Sequence, residues 1–258
     1  MATVGMPEAK AALQLLQLAH KQGWLDKAIG AFKKKHKVLV LGSSGVGKTN
    51  LLKSLTTLTP EAIHFMNRTE FAQKHHIKIA KEPFIFQDTP GEFGKAPRRM
   101  KAVREALSSP IAGVINVVSY GYHEHRTADS AMFGSNNYPK EDFLSAYREQ
   151  EIAALAEWVE LLGDEQHIGW AITVVTKADL WWHRKEEVLE HYSKGAYANS
   201  LGSLTRMAPS VVEYSSVFHK FYDKMPLSGA FDDQDRQRVR SNLLRTLLES
   251  VGKSAFHE

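Results

Sequence analysis

The chain contains no cysteine, which excludes disulfide bridges and thiolate metal sites and suits a reducing compartment, so a cytoplasmic location is the expectation. It has no long apolar run either. The longest, around Ile111 to Val118, falls far short of the roughly 20 residues that a membrane-spanning helix needs. The opening stretch "MATVGMPEAKAALQLL" lacks a basic start and is interrupted by Glu8 and Lys10, so it does not read as a signal peptide. No internal repeat is present. Neither sign of charge dominates: 33 Lys and Arg stand against 29 Asp and Glu, a balance that leans only weakly toward anionic partners and gives no direct nucleic-acid signal.

What remains is an ordinary soluble composition, 43% hydrophobic and 24% charged over 258 residues. That is enough chain for one large domain, or one domain with an appendage, around a substantial core. Residues 7 to 32 place Leu15, Leu18, Leu25, Ile29 and Phe32 at helical spacing, so residues 1 to 36 read as a helical extension. Its stripe, ending in lysines, has two readings: packing on the main domain or on a partner, which is preferred, or peripheral membrane contact through residues 7 to 37. From residue 37 to 258 strands alternate with helices. A strand at Val38 to Leu41 leads into a helix from Lys48; "HIKIA" and "FIFQDTP" form a hairpin; a strand follows at 111 to 119. Helices are expected at 97 to 107, 141 to 162, within 184 to 206 and at 235 to 251, with strands "WAITVVT" and "SVVEYSS" among the later ones. The alternation predicts a three-layer α/β fold: a mostly parallel sheet with one antiparallel hairpin pair and helices on both faces. Residues 120 to 140 carry no periodicity and read as an inserted loop.

Within that frame "KVLVLGSSGVGKTN" carries the spacing G-x-x-x-x-G-K-T between a strand and a helix. Gly42, Ser43, Ser44, Gly45, Val46 and Gly47 form the expected phosphate-binding loop, with Asn50 just beyond it. Glycines allow backbone N–H groups to turn onto phosphate oxygens, and the helix N-terminus adds partial positive charge. Lys48 reaches the β- and γ-phosphates, and Thr49 offers a hydroxyl to Mg²⁺. Asp88, Thr89, Pro90 and Gly91 follow the strand "FIFQ", where Asp88 can hold Mg²⁺ through water and the Gly91 N–H can meet the γ-phosphate. In "VVTKADL", Asp179 can accept hydrogen bonds from N1–H and the 2-amino group of guanine while the Lys177 stem covers the base. Adenine has no such donor pair.

These motifs, in this order, together with "YSS" at Tyr214 to Ser216, resemble those of Ras-like regulatory GTPases in the broad sense, the P-loop G-domain group that includes septins and dynamins. The resemblance spans residues 37 to 251. It implies GTP and GDP as ligands, Mg²⁺ as cofactor, a loop at Ser215 and Ser216 touching the guanine carbonyl, and a threonine of the first switch upstream of the hairpin, for which Thr69 is the choice. Three departures stand out. Thr176 replaces the usual asparagine of the guanine motif, so bracing of the phosphate loop rests on one hydroxyl. Ser44 adds bulk where small GTPases that accept an arginine finger have glycine. Glu92 follows Gly91 where relatives place a water-orienting glutamine, adding like charge beside the γ-phosphate.

The expected activity is therefore slow GTP hydrolysis using Lys48, Thr69, Gly91 and Glu92, stimulated by a partner or by self-association, with an unidentified effector or activator and a homodimer as candidate partners. The rival is a hydrolysis-deficient nucleotide-binding scaffold, which Glu92 keeps alive. An ATP-dependent enzyme would require Asp179 to be irrelevant. Lys95, Arg98, Arg99, Lys101 and Arg104 read as a solvated basic face with a catalytic cation as the alternative. Tyr120, Tyr122, Phe133 and Tyr138 suggest a contact surface; His123 and His125 read as exposed rather than metal-binding; Trp181 and Trp182 read as packing residues.

Overall fold

A six-stranded sheet in the order β2-β3-β1-β4-β5-β6 organises the computed structural model, which describes residues 35–56, 73–80, 82–89, 101, 103–105, 107–124, 130–163, 168–218, 221–225 and 229–254. The strands are β1 (His36–Leu41), β2 (Gln73–Ile79), β3 (Glu82–Asp88), β4 (Gly113–Val118), β5 (Trp170–Val175) and β6 (Ser210–Glu213). Only β2 and β3 pair antiparallel; every other neighbouring pair is parallel. The near-continuous apolar runs of β1, β4 and β5 explain this. Strands buried on both faces lose nothing by lacking a polar side and are covered by crossover helices.

Alternation along β1 divides the core. Val38 and Val40 face α1 (Lys48–Thr56) and α6 (Asp233–Ser254), packing with Leu51, Leu52, Leu243 and Leu247. Leu39 and Leu41 face the opposite layer, where α2 (Glu141–Leu162), α4 (Lys185–Ser193) and α5 (Gly195–Gly202) contribute Leu155, Trp158, Val188, Tyr192 and Tyr197. A short α3 (Ala178–Trp181) follows β5 directly. The period of two in the strand and the i, i+4 spacing in the helices thus build three layers.

Two boundaries differ from the sequence expectation for identifiable reasons. The hairpin turn is tighter, because Ala80 takes a positive φ of 50° and Glu82 and Pro83 already belong to β3, with Pro83 opposite Lys78. The β1 ladder begins only at Phe84, so the missing Pro83 N–H forfeits no bond on that side. The helix expected within 184 to 206 is two helices, broken where Lys194 is extended and Gly195 turns at a φ of 67°. Residues 1–34 of the expected N-terminal extension, Thr69, Pro90, Gly91, Glu92, Lys95, Arg98, Arg99 and His125 lie outside the described residues, while His36, placed in that extension, is the first residue of β1.

One contact makes a sharp prediction. Gly113 sits opposite Trp170 in the β4–β5 register, and a Cβ there would come within 2.1 Å of the indole ring. Gly113→Ala is expected to destabilise the fold by about 3 kcal/mol, read as a lower urea midpoint.

Candidate functional site

The carboxyl ends of β1, β3, β4, β5 and β6 gather at one edge of the sheet, where the strand order reverses between β1 and its neighbours β3 and β4. In open α/β sheets that crevice is where ligands bind. The expected loop spans it from the end of β1 to the start of α1. Gly42 and Gly45 hold φ at 133° and 83°, and a Cβ would strike Val117 O at 2.2 Å and Glu124 O at 2.5 Å respectively. Both conformation and close approach therefore demand glycine. Val46 is buried in the core, Ser43 is buried, and Ser44 and Asn50 are partly exposed. The Lys48 ammonium donates to Gly42 O at 2.7 Å and Ser43 O at 2.8 Å. Burial pushes its pKa down and the Asp88 charge opposes that.

Thr49 begins α1 beside the end of β3, and its hydroxyl donates to Asp88 Oδ2 at 3.4 Å. Asp88 is fully buried. Thr89 fixes the strand end, its N–H and hydroxyl both donating to Val40 O, at 3.2 and 2.8 Å. A hydroxyl and a buried carboxylate converging at the loop make an all-oxygen set, the kind that Mg²⁺ takes alongside water and phosphate. The residues present thus fit that ion.

The residues expected to recognise the base follow β5 and β6. Thr176 Oγ1 lies 2.5 Å from Val46 O and 3.0 Å from Val118 O, linking the phosphate loop to the end of β4. Lys177 adopts a left-handed conformation, φ 58° and ψ 38°. Its ammonium donates to Gly45 O at 3.0 Å, Tyr122 O at 2.5 Å and Glu124 Oε2 at 3.1 Å. Asp179 is buried and accepts from Ser215 Oγ at 2.6 Å. Ser216, next along, is partly exposed. The Trp181 indole is fully buried and donates to Thr176 O at 2.8 Å, while Tyr214 OH and Ser54 Oγ share a bond of 2.7 Å that ties the β6 end to α1. The motifs expected on the phosphate side and on the base side, separated by about 130 residues in sequence, therefore share hydrogen bonds.

The segment after β4 corrects the sequence reading. Tyr120, Tyr122, Phe133 and His123 are buried; of the four aromatics proposed as a contact surface only Tyr138 is exposed. Beneath the turn lies a carboxylate of α2, Glu151, which is itself 2% exposed. It accepts from Ser119 N at 2.8 Å, Gly121 N at 3.4 Å and the His123 ring at 2.8 Å, and from Tyr192 OH. Tyr192 OH in turn accepts from Tyr120 N at 3.0 Å. Burial works against the Glu151 charge, but these donors outweigh it and hold the carboxyl below the usual glutamate range. Tyr120 is clasped between Arg148 and Arg184, 4.6 and 5.5 Å from its ring, and donates to Glu187 at 2.7 Å. One signal for Glu151 was available in the sequence: it shares a helix face with Ala154, Leu155 and Trp158, where a carboxylate needs buried partners.

Residues 37–153 match the family model described as 50S ribosome-binding GTPase. No curated protein sequence matches the chain. Among solved structures, it is similar to a dimerization-deficient mutant of Toc33 from Arabidopsis thaliana, with a TM-score of 0.52 at 14% identity, covering 94% of this chain and 91% of that one. Toc33 in complex with Mg²⁺ and GMPPNP gives 0.45 at 14% identity over 94% and 92% of the two chains. The mammalian SRP receptor gives 0.46 at 15% identity over 83% and 100%. The likeness to the first of these is one of fold.

Proposed function

We infer that this chain, whose residues 37–153 match the family model described as 50S ribosome-binding GTPase and whose fold is similar to that of Toc33, is a P-loop G-domain guanine-nucleotide switch that binds GTP with Mg²⁺ and hydrolyses it slowly to GDP and phosphate. The observation that carries this reading is the meeting of three elements at one sheet edge: the Lys48 loop, the Thr49–Asp88 oxygen pair, and an Asp179 carboxylate fixed by Ser215.

Each residue has a definite task. Lys48 exchanges the Gly42 and Ser43 carbonyls for phosphate oxygens, where its charge opposes that developing as water attacks in line. Thr49 and Asp88, with Thr69 from the first switch, would hold Mg²⁺, which supplies charge neutralisation across the phosphates. Asp179 accepts from the guanine edge, the Lys177 stem covers the base, and the Ser215–Ser216 backbone meets the guanine carbonyl. Gly91 would contact the γ-phosphate, and Glu92, next along the chain, would orient the attacking water. Loss of the γ-phosphate releases the segments around Thr69 and Glu92. Stimulation by a protein activator or by self-association, a cytoplasmic site of action and an as yet unidentified effector complete the reading. Peripheral membrane contact through residues 7 to 37 is secondary to packing of that segment.

The second reading, a nucleotide-binding scaffold without turnover, is favoured by Glu92 alone. Phosphate release from Mg-GTP, measured on wild type and Glu92→Gln, separates the two. A switch turns over on the order of 10⁻³ s⁻¹ or slower and gains about tenfold with glutamine. No release from either protein, with GTP bound, establishes the scaffold.

A further inference from the structure

The phosphate side and the base side of the site meet at a residue that none of the nucleotide motifs contains. Glu124 follows the buried turn after β4, and its main chain and side chain converge on the same place. Its N–H donates to Gly45 O at 3.3 Å, the same carbonyl that accepts from Lys177 at 3.0 Å. Its Oε2 accepts from the Lys177 ammonium at 3.1 Å, and its Oε1 accepts from Tyr222 N at 3.2 Å. The carboxylate is thereby gripped at both oxygens.

We propose that Glu124 is the positioning residue that locks Lys177 to the phosphate loop, so that base and phosphate subsites hold a nucleotide as one unit. The argument rests on the guanine-nucleotide reading given above. An ammonium has three protons, and those of Lys177 go to Gly45 O, Tyr122 O and Glu124 Oε2. Two of these acceptors are neutral carbonyls; Glu124 is the charged one. Charge-assisted bonds are shorter and about twice as strong as neutral ones, so the carboxylate decides where the ammonium rests and with it the stem beneath the base. Burial depresses the Lys177 pKa, and Glu124 is the foremost of the charges opposing it.

The remaining contacts make the clamp stiff. Gly45 leaves no room for a side chain against Glu124, whose N and O would lie 2.8 and 2.5 Å from a Cβ. Tyr222 and Asp223 sit at positive φ values of 52° and 57°, a conformation that needs support from its surroundings, and the Glu124 carboxylate accepts from the first of them. Phe221, fully buried, places its ring 5.5 Å from the Lys177 ammonium. Division of labour follows. Asp179 chooses the base; Glu124 governs how long any chosen nucleotide stays.

The test is dissociation of mant-GDP, chased with excess GDP, from the full chain and from Glu124→Gln, Glu124→Asp, Lys177→Met and the Glu124→Gln/Lys177→Met double variant. Glutamine keeps the shape and removes the charge; aspartate keeps the charge and is one methylene too short. Both are expected to release mant-GDP about tenfold faster or more, with the preference for GDP over ADP unchanged. The double variant is expected to release no faster than Lys177→Met, because both substitutions break one link. Unchanged release, independent additive effects, or loss of the base preference along with retention would each overturn the proposal; the last signals general disorder of the site. Should the glutamine variant not fold, the aspartate variant decides. A wild-type chain that does not bind mant-GDP at all overturns the nucleotide reading and the clamp together, a result distinct from binding that Glu124 does not affect.

Discussion

Asp179→Asn is expected to weaken GDP binding by about two to four orders of magnitude, since two hydrogen bonds to a charged acceptor are lost. The geometry says how. Ser215 Oγ donates to Asp179 Oδ1 at 2.6 Å, and the same hydroxyl would hold the asparagine carbonyl in that place, turning the amide N–H₂ toward the base. Guanine then presents donors to a donor. Xanthine, which carries an oxygen in place of the 2-amino group, presents an acceptor instead, so XDP binding is expected to rise as GDP binding falls. Calorimetric titration with GDP, XDP and ADP in the presence of Mg²⁺ reads all three at once. If the variant keeps its hold on GDP, Asp179 does not face the base and the guanine assignment falls with it.

Glu151→Ala is expected to be the most destabilising substitution on the base-side face, by about 3 to 5 kcal/mol, because it strands buried donors that were arranged around a charge. The Ser119 and Gly121 amides, the His123 ring and the Tyr192 hydroxyl all lose their acceptor. Acid reports the same network. A carboxyl held below its usual range contributes stability that is fully present above the unfolded glutamate value of 4.5 and is lost as pH falls through the lower folded value. Glu187, which the Arg184 and Tyr120 bonds hold at about 2, is lost over the window from 4.5 down to about 2. Urea midpoints measured across that interval should fall for wild type and fall less for Glu151→Gln, which has no charge to lose. Equal slopes for the two proteins would mean that Glu151 carries no charge in the folded state.

The contrast between these two residues shows what could be read in advance. Asp179 stands in a local string whose spacing and strand context foretell its place at the end of a central strand, and the same holds for Lys48, Thr49 and Asp88. The sheet was legible too, since β1, β4 and β5 are apolar runs too short for helices of the core. Glu151 was legible only in part: its apolar helix face marks a carboxylate that needs buried partners, but the donors come from 28 to 41 residues away and no short pattern records which they are. The turn after β4 misled for a related reason. Tyr120 and Tyr122 lie in a stretch without periodicity, which by itself argues exposure, yet cations from α2 and the 182–184 turn and the rings of α4 enclose Tyr120, and the Phe221 ring packs edge-on to Tyr122. The helix break was hidden likewise: one extended residue, Lys194, and the left-handed backbone of Gly195 separate α4 from α5.

A last consequence follows from the hydroxyl at Thr176. It reaches two carbonyls, Val46 O and Val118 O, with a single hydrogen to give. An asparagine amide has two hydrogens to give where this hydroxyl has one to share. The loop expected to hold phosphate is thus tied to the sheet at this side chain by a single hydrogen within reach of two acceptors, a softer mooring than two separate hydrogens would provide.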